Sequence, residues 1–395
     1  MYFCKKYYLY VYKMKARYIS FIIILLSLFF CNSATARVKQ VTLHDSAFAS
    51  LLTCGAGEDF YESFGHSALR ICDTANKIDI VFNYGTFDFN EPNFYLKFAK
   101  GQLNYCVVAM SFDEFMFEYM YYGRAVWEQR INLSKKELQR LYDALLVNIR
   151  PENMYYKYDF FRDNCATRVR DMIENSMINR SVADTSMPKD ALSYRQLLHH
   201  NSEARNAWWL LGTDLLLGAR CDKKMTTSDY AFHPIELMGQ YDTLTAGGMP
   251  LAEEATQELK DRRENSGTAV SPTLCFWIFF ALVAIISFMG YFSRWKLVWL
   301  DVIIFGVATL IGCFLLFMWL GTDHWCTKWN TDLLWANPLH LITLLTLRKQ
   351  MRPFRWTMAA LTLPLLVACI FVPHLVNPAV IPFILAMDVR LLCKE

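Results

Sequence analysis

The sequence predicts an exported α+β domain followed by a C-terminal α-helical transmembrane bundle. Three observations carry that prediction. The N-terminus has the parts of a secretory signal, the middle alternates strand-like and helix-like patterns, and the last third is built from long apolar runs. The 395 residues exceed one small domain, and 54% of them are hydrophobic. A formal net charge of +3 is too small to direct the chain to nucleic acid.

At the N-terminus, Lys5, Lys6, Lys13, Lys15 and Arg17 precede the apolar run Ile19 to Phe30. That run has signal-peptide length rather than the roughly 20 residues of a full span. Ala34-Thr35-Ala36 is an A-x-A cleavage site, so residues 1–36 read as a signal peptide, with Met14 as a second start that leaves the signal whole. The alternatives are a lipoprotein signal ending at Cys31, disfavoured by the bulky Phe30 before it, and an uncleaved anchor.

Residues 37–249 read as the exported domain. Ser67 to Cys72 and Ile78 to Tyr84, separated by Asp73-Thr74-Ala75-Asn76-Lys77, predict a hairpin. Gly101 to Met110 predicts another strand. Ser134-Lys135-Lys136-Glu137 is a capping box, and Leu138, Leu141, Leu145 and Ile149 give the helix it starts an apolar face that Pro151 ends. A second helix is expected from about Asn164, with Val169, Met172 and Ile173 turned inward, and residues 190–220 read as helical. The region holds Cys54, Cys72, Cys106, Cys165 and Cys221, an odd set, so at least one thiol stays unpaired unless it bonds another chain. Cys165 is the candidate, and the other four are left as two disulfides or as buried thiols.

Residues 250–270 read as a polar linker and 271–395 as membrane. Thr273 to Tyr291, Leu297 to Leu320 and Trp356 to Val376 are candidate spans; Leu333 to Leu347 is shorter, and Ala379 to Leu392 is a fifth candidate weakened by prolines. The expectation is four to five helices. Arg294 and Lys296, then Arg348, Lys349, Arg352 and Arg355, mark two cytoplasmic loops, which puts the Gly321 to Leu333 loop on the same side as the exported domain. That loop, Thr322-Asp323-His324 through Asn337-Pro338, is unusually polar and aromatic, and Asp323 and His324 are its candidate functional residues.

The chemistry rests on a thiol and an imidazole. Asp163 and Asn164 are cap-type residues directly before Cys165, which puts the thiol at a helix N-terminus, where the dipole and free N–H groups favour a thiolate and can hold an oxyanion. Arg168 adds a nearby charge. His66, after Gly65 at the start of a strand, is the best-placed base. Asn83 on the opposing strand is the first choice to orient its ring, with Asp88 and Tyr84 as alternates. No C-x-x-C, H-E-x-x-H or G-x-S-x-G motif is present, so neither a metal site nor a serine nucleophile is expected, and no cofactor is called for.

Phe64-Gly65-His66-Ser67-Ala68, Phe82-Asn83-Tyr84-Gly85-Thr86-Phe87 and Asp163-Asn164-Cys165 together resemble the periplasmic Lnb family. Tyr194-Arg195-Gln196-Leu197, Gly212 to Gly218, and Thr322-Asp323-His324 with Leu334-Trp335-Ala336-Asn337-Pro338 extend the likeness over nearly the whole mature chain. The resemblance implies a circularly permuted papain-like fold of the NlpC/P60 and lecithin:retinol acyltransferase kind. It also implies transfer of an acyl chain from a membrane phospholipid to the N-terminal amine of a lipoprotein. Cys165 would then be nucleophile and His66 base, with Asn164, Tyr84 and Arg168 supporting them, in a multi-pass protein of a bacterial inner membrane whose catalytic domain faces the periplasm. The rival readings are an anchored cell-wall peptidase or amidase using the same pair, and a non-enzymatic membrane assembly or transport protein.

Overall fold

The computed structural model describes residues 41–59, 62–178, 186–202, 207–263, 270–345, 352–372 and 375–392. The signal peptide and the basic residues Arg348 and Lys349 lie outside these segments.

The exported region is organised by a seven-stranded antiparallel sheet of order β6-β4-β3-β2-β1-β5-β9. Its strands are β1 (Phe48–Cys54), β2 (His66–Asp73), β3 (Ile78–Thr86), β4 (Asn104–Ser111), β5 (Val126–Arg130), β6 (Tyr155–Lys157) and β9 (Thr256–Leu259); a separate two-stranded hairpin joins β7 (Thr245–Ala246) to β8 (Met249–Pro250). The sheet is interleaved with helices α1 (Phe94–Lys100), α2 (Phe112–Tyr121), α3 (Lys135–Asn148), α4 (Cys165–Ser176), α5 (Tyr194–Asn201), α6 (Ala207–Leu216) and α7 (Pro234–Thr243). β1 is buried on both faces from Ala49 to Cys54, so its polar Ser50 and Thr53 lie as deep as Leu51 and Leu52 and no alternation marks it. Each fully buried leucine there, such as Leu51 or Leu52, contributes about 2 kcal/mol of burial.

The predicted hairpin forms as β2 and β3, turned by Thr74–Asn76 with Lys77 in the left-handed region. The Ser134 box also forms: the Ser134 N–H donates to Glu137 Oε2 at 2.8 Å, and the Glu137 N–H returns to Ser134 Oγ. The strand expected from Gly101 begins instead at Asn104, because Gly101 closes α1 and sends its N–H back to Lys97 and Phe98. The polar linker is a linker only in part. Thr256–Leu259 forms β9, a mostly exposed edge strand that covers the free side of β5. Its polar residues carry no buried face, so no apolar alternation announced it. The five cysteines of the sheet domain are all free thiols.

The C-terminal region contains α8 (Pro272–Ser293), α9 (Val298–Leu320), α10 (His340–Leu345), α11 (Arg352–Phe371) and α12 (Ile381–Leu392). Against the expected four to five spans, three helices among the described residues are long and apolar enough to cross a membrane: Pro272–Ser293, Val298–Leu320 and Pro353–Phe371. α12 is too short for that and packs on α8 and α11. A buried bidentate pair clamps it in place: Arg390 donates to Asp301 on α9 at 2.6 and 3.0 Å and to Ser287 on α8 at 3.3 Å.

The loop after α9 docks on the sheet domain. The Asp323 N–H bonds Lys100 O at 2.9 Å, the Gly218 N–H bonds Cys326 O at 2.7 Å, and Asn330 Nδ2 bonds Leu215 O at 2.7 Å. Gly218 has no room for a side chain, since a Cβ there would lie 1.9 Å from Lys328 O. Gly218→Ala is therefore expected to separate the loop from the domain and cost about 3 kcal/mol, read as a lower apparent melting temperature and faster proteolysis after residue 217.

Candidate active site

Helix α4 begins at Cys165 because Asn164 caps it. Asn164 Oδ1 accepts the Thr167 N–H at 2.9 Å, and Thr167 Oγ1 accepts the Asn164 N–H at 2.8 Å. The Asn164 amide nitrogen donates to Phe160 O and Phe232 O, both at 2.8 Å, so this buried side chain is used entirely in holding the turn. The Cys165 side chain is thereby fixed at the helix N-terminus, 6% exposed.

His66 opens β2 and lies beside it. Its Nε2 is 2.6 Å from Asn83 Oδ1 on the neighbouring β3. An amide oxygen only accepts, so Nε2 carries the proton, which leaves Nδ1 for the cysteine. The ring hydrogen-bonds the Cys165 sulfur. Burial opposes charge on Cys165, but the His66 imidazolium and the backbone N–H groups of Ser67 and Ala166 outweigh it, and the thiol is held below its ordinary value. Burial likewise opposes charge on His66, but the cysteine sulfur and Asn83 raise its pKa. Each group thus favours the charged form of the other.

Above the pair lies Gly85, at φ +92°. A Cβ on it would sit 3.7 Å from Cys165 Cβ, 3.8 Å from Tyr158 Cε2 and 3.9 Å from His66 Cε1. The bare backbone of Gly85 thus lies directly against both reactive groups. Tyr158 stacks on Tyr105 at 4.4 Å, and burial together with the nearby thiolate keeps it a neutral phenol. Tyr158 also lines a cavity of about 400 Å³, with Gly101, Gln102, Lys157, Asp159, Arg162 and Asp163 from the domain and Asp323 from the membrane loop.

The structure thus brings Cys165, His66 and Asn83 together and gives the other candidates different places. Tyr84 is a core residue with its hydroxyl donating to Asn148 at 2.6 Å, because its side chain falls on the buried face of β3. Asp88 is exposed and accepts from Asn90. Neither orients the imidazole. Arg168 is bound bidentately by Asp163 and lies 3.9 Å over the Tyr156 ring, bracing the first turn of α4. Asp323 accepts from Gln102 at 2.9 Å and His324 Nε2 bonds Phe98 O at 3.3 Å; these place both at the rim, against α1, rather than on the thiol. Sequence reasoning passed over Gly85, although it stood in a quoted motif, and Tyr158, which no spacing marked. Among the described residues no group of three His, Cys, Asp or Glu side chains is arranged to hold a metal.

A family model described as the Lnb N-terminal periplasmic domain matches residues 34–200, and one described as the Lnb transmembrane domain matches residues 263–394. No curated protein and no solved structure matches the chain.

Proposed function

The chain belongs to the Lnb family, a membrane protein with a periplasmic domain, and from that premise we propose that it is a thiol acyltransferase acting on lipoproteins. The acyl donor is a membrane phospholipid and the acceptor is the N-terminal amine of a lipoprotein. The reading includes a multi-pass placement in a bacterial inner membrane. It also includes a circularly permuted papain-like fold, whose expected order, histidine strand before cysteine helix, is the order of β2 and α4. The observation that carries it is the Cys165–His66–Asn83 constellation beside a cavity to which the membrane loop itself contributes Asp323.

Cys165 Sγ attacks the ester carbonyl carbon, and the charge on oxygen is met by N–H groups at the start of α4. The C–O bond breaks and His66 gives its Nδ1 proton to the glycerol oxygen, releasing a lysophospholipid and leaving a thioester. The α-amine, with a pKa of about 8, is partly neutral at neutral pH and attacks that thioester. His66 takes the amine proton as the C–S bond breaks, and the amide leaves with the thiolate–imidazolium pair restored. Asn83 keeps the ring turned for both transfers, so Asn83→Ala is expected to slow turnover by ~10²-fold without unfolding the chain, and Asn83→Asp to recover much of the loss.

The test is mass spectrometry of the N-terminal peptide of a reporter lipoprotein, made in cells that lack their own N-acyltransferase. A third acyl chain appearing with this chain is the expected result. A diacyl peptide with a free amine, beside verified expression, would overturn the reading and favour a cell-wall peptidase.

A further inference from the structure

The end of the sheet that carries His66 is also where the domain joins the membrane helices on two flanks. On one, Asp323, shortly after α9 ends at Leu320, bonds Lys100 O at the end of α1. On the other, the Arg262 N–H bonds Gly123 O just beyond α2, and α8 begins at Pro272. Both flanks expose large apolar side chains. Around α1 these are Phe89 (62% exposed), Tyr95 (81%), Leu96 and Phe98; on α2 and its end they are Phe117, Met120, Tyr121 (74%) and Tyr122.

These are ridges rather than scattered residues. The ring centres of Phe89 and Phe94 lie 5.0 Å apart, those of Phe94 and Tyr95 5.3 Å and of Phe94 and Phe98 6.2 Å, and on the other side those of Tyr121 and Tyr122 5.1 Å. A contiguous aromatic surface of that kind is unfavourable in water and marks a contact. Lys97, paired with Glu91, and Lys100 close the end of α1, and the long cationic side chain of Lys100 favours a headgroup layer. The occupant follows from continuity: α9 ends at Leu320, and Asp323 just after it bonds the end of α1, so the α1 ridge lies at the height of the membrane surface, where aromatic residues collect, and the α2 ridge lies at the same end of the sheet.

We propose that the two ridges are embedded in the periplasmic leaflet, so that the domain stands on the bilayer with the Cys165 mouth between them and takes its lipid sideways from the membrane. The charged cavity with Lys157, Arg162 and Asp323 opens at the same rim and faces the headgroup layer. This rests on the reading of the site as one that acts on lipid, but its test reads contact rather than turnover. Leu96→p-benzoylphenylalanine and Tyr121→p-benzoylphenylalanine would be made in the full chain carrying Cys165→Ser. The chain would be reconstituted in phosphatidylethanolamine and phosphatidylglycerol vesicles and irradiated. The comparison is Ala75→p-benzoylphenylalanine, in the exposed turn at the opposite end of β2. The expected result is covalent phospholipid at 96 and 121 in about tenfold excess over 75. Lipid adduct no higher than at 75 in either position would overturn the proposal, whether or not acyl transfer is later found.

Discussion

Cys165→Ser is expected to lower acyl transfer by at least ~10³-fold while the chain remains folded. The reason is acidity rather than shape. The pair with His66 holds the thiol below its ordinary value despite burial, so the sulfur ionises more readily than an ordinary thiol. A serine hydroxyl is far less acidic, and the same imidazole cannot ionise it. Serine is close in size, and the backbone N–H groups of Ser67 and Ala166 that face the sulfur keep an acceptor oxygen. The stability change should therefore stay within about 1 kcal/mol. Transfer rate and melting temperature measured on the same preparation separate the two effects.

Removing the base has the second large effect. In His66→Ala the burial that raises the Cys165 pKa remains while the main charge that lowers it is gone, so the thiol should move above its ordinary value. The sign follows from the pair. In the wild type His66 lowers the cysteine pKa and the cysteine raises that of His66. Alkylation by iodoacetamide should thus extend to lower pH than an ordinary thiol allows, and fall as pH drops through the lowered cysteine value. In His66→Ala it should be slow at neutral pH, by ~10²-fold, and rise steadily into the alkaline range. Labelling is read on the peptide that contains Cys165, since other free thiols, the exposed Cys313 among them, also react in that range. An unchanged pH profile would contradict the ion pair.

What could be read in the sequence had a short-range signature. The Ser134 box, the β2–β3 turn and the cap before Cys165 are local hydrogen-bonding patterns, and they form as expected. Asn83 was reached through the hairpin, which puts it on the strand next to His66. Ser111 with Glu114 is another capping box, opening α2, whose buried face is Phe115 and Tyr119, four residues apart. Features made by long-range contact had no such signature. β9 is a strand only because β5 has a free edge. Tyr158 belongs to the site only because α4 and Gly85 of β3 meet beside it. Tyr84 illustrates the converse: one residue from Asn83 on the same strand, it points to the other face and into the core.

The central claim is a covalent acyl-enzyme on Cys165, and the direct measurement is peptide mass spectrometry of the full chain after incubation with phospholipid and no amine acceptor. The account predicts that the peptide containing Cys165 gains the mass of one acyl chain, that hydroxylamine removes it, and that a lysophospholipid appears in equal amount. An unmodified Cys165 in a preparation that still acylates a lipoprotein when one is added would contradict it.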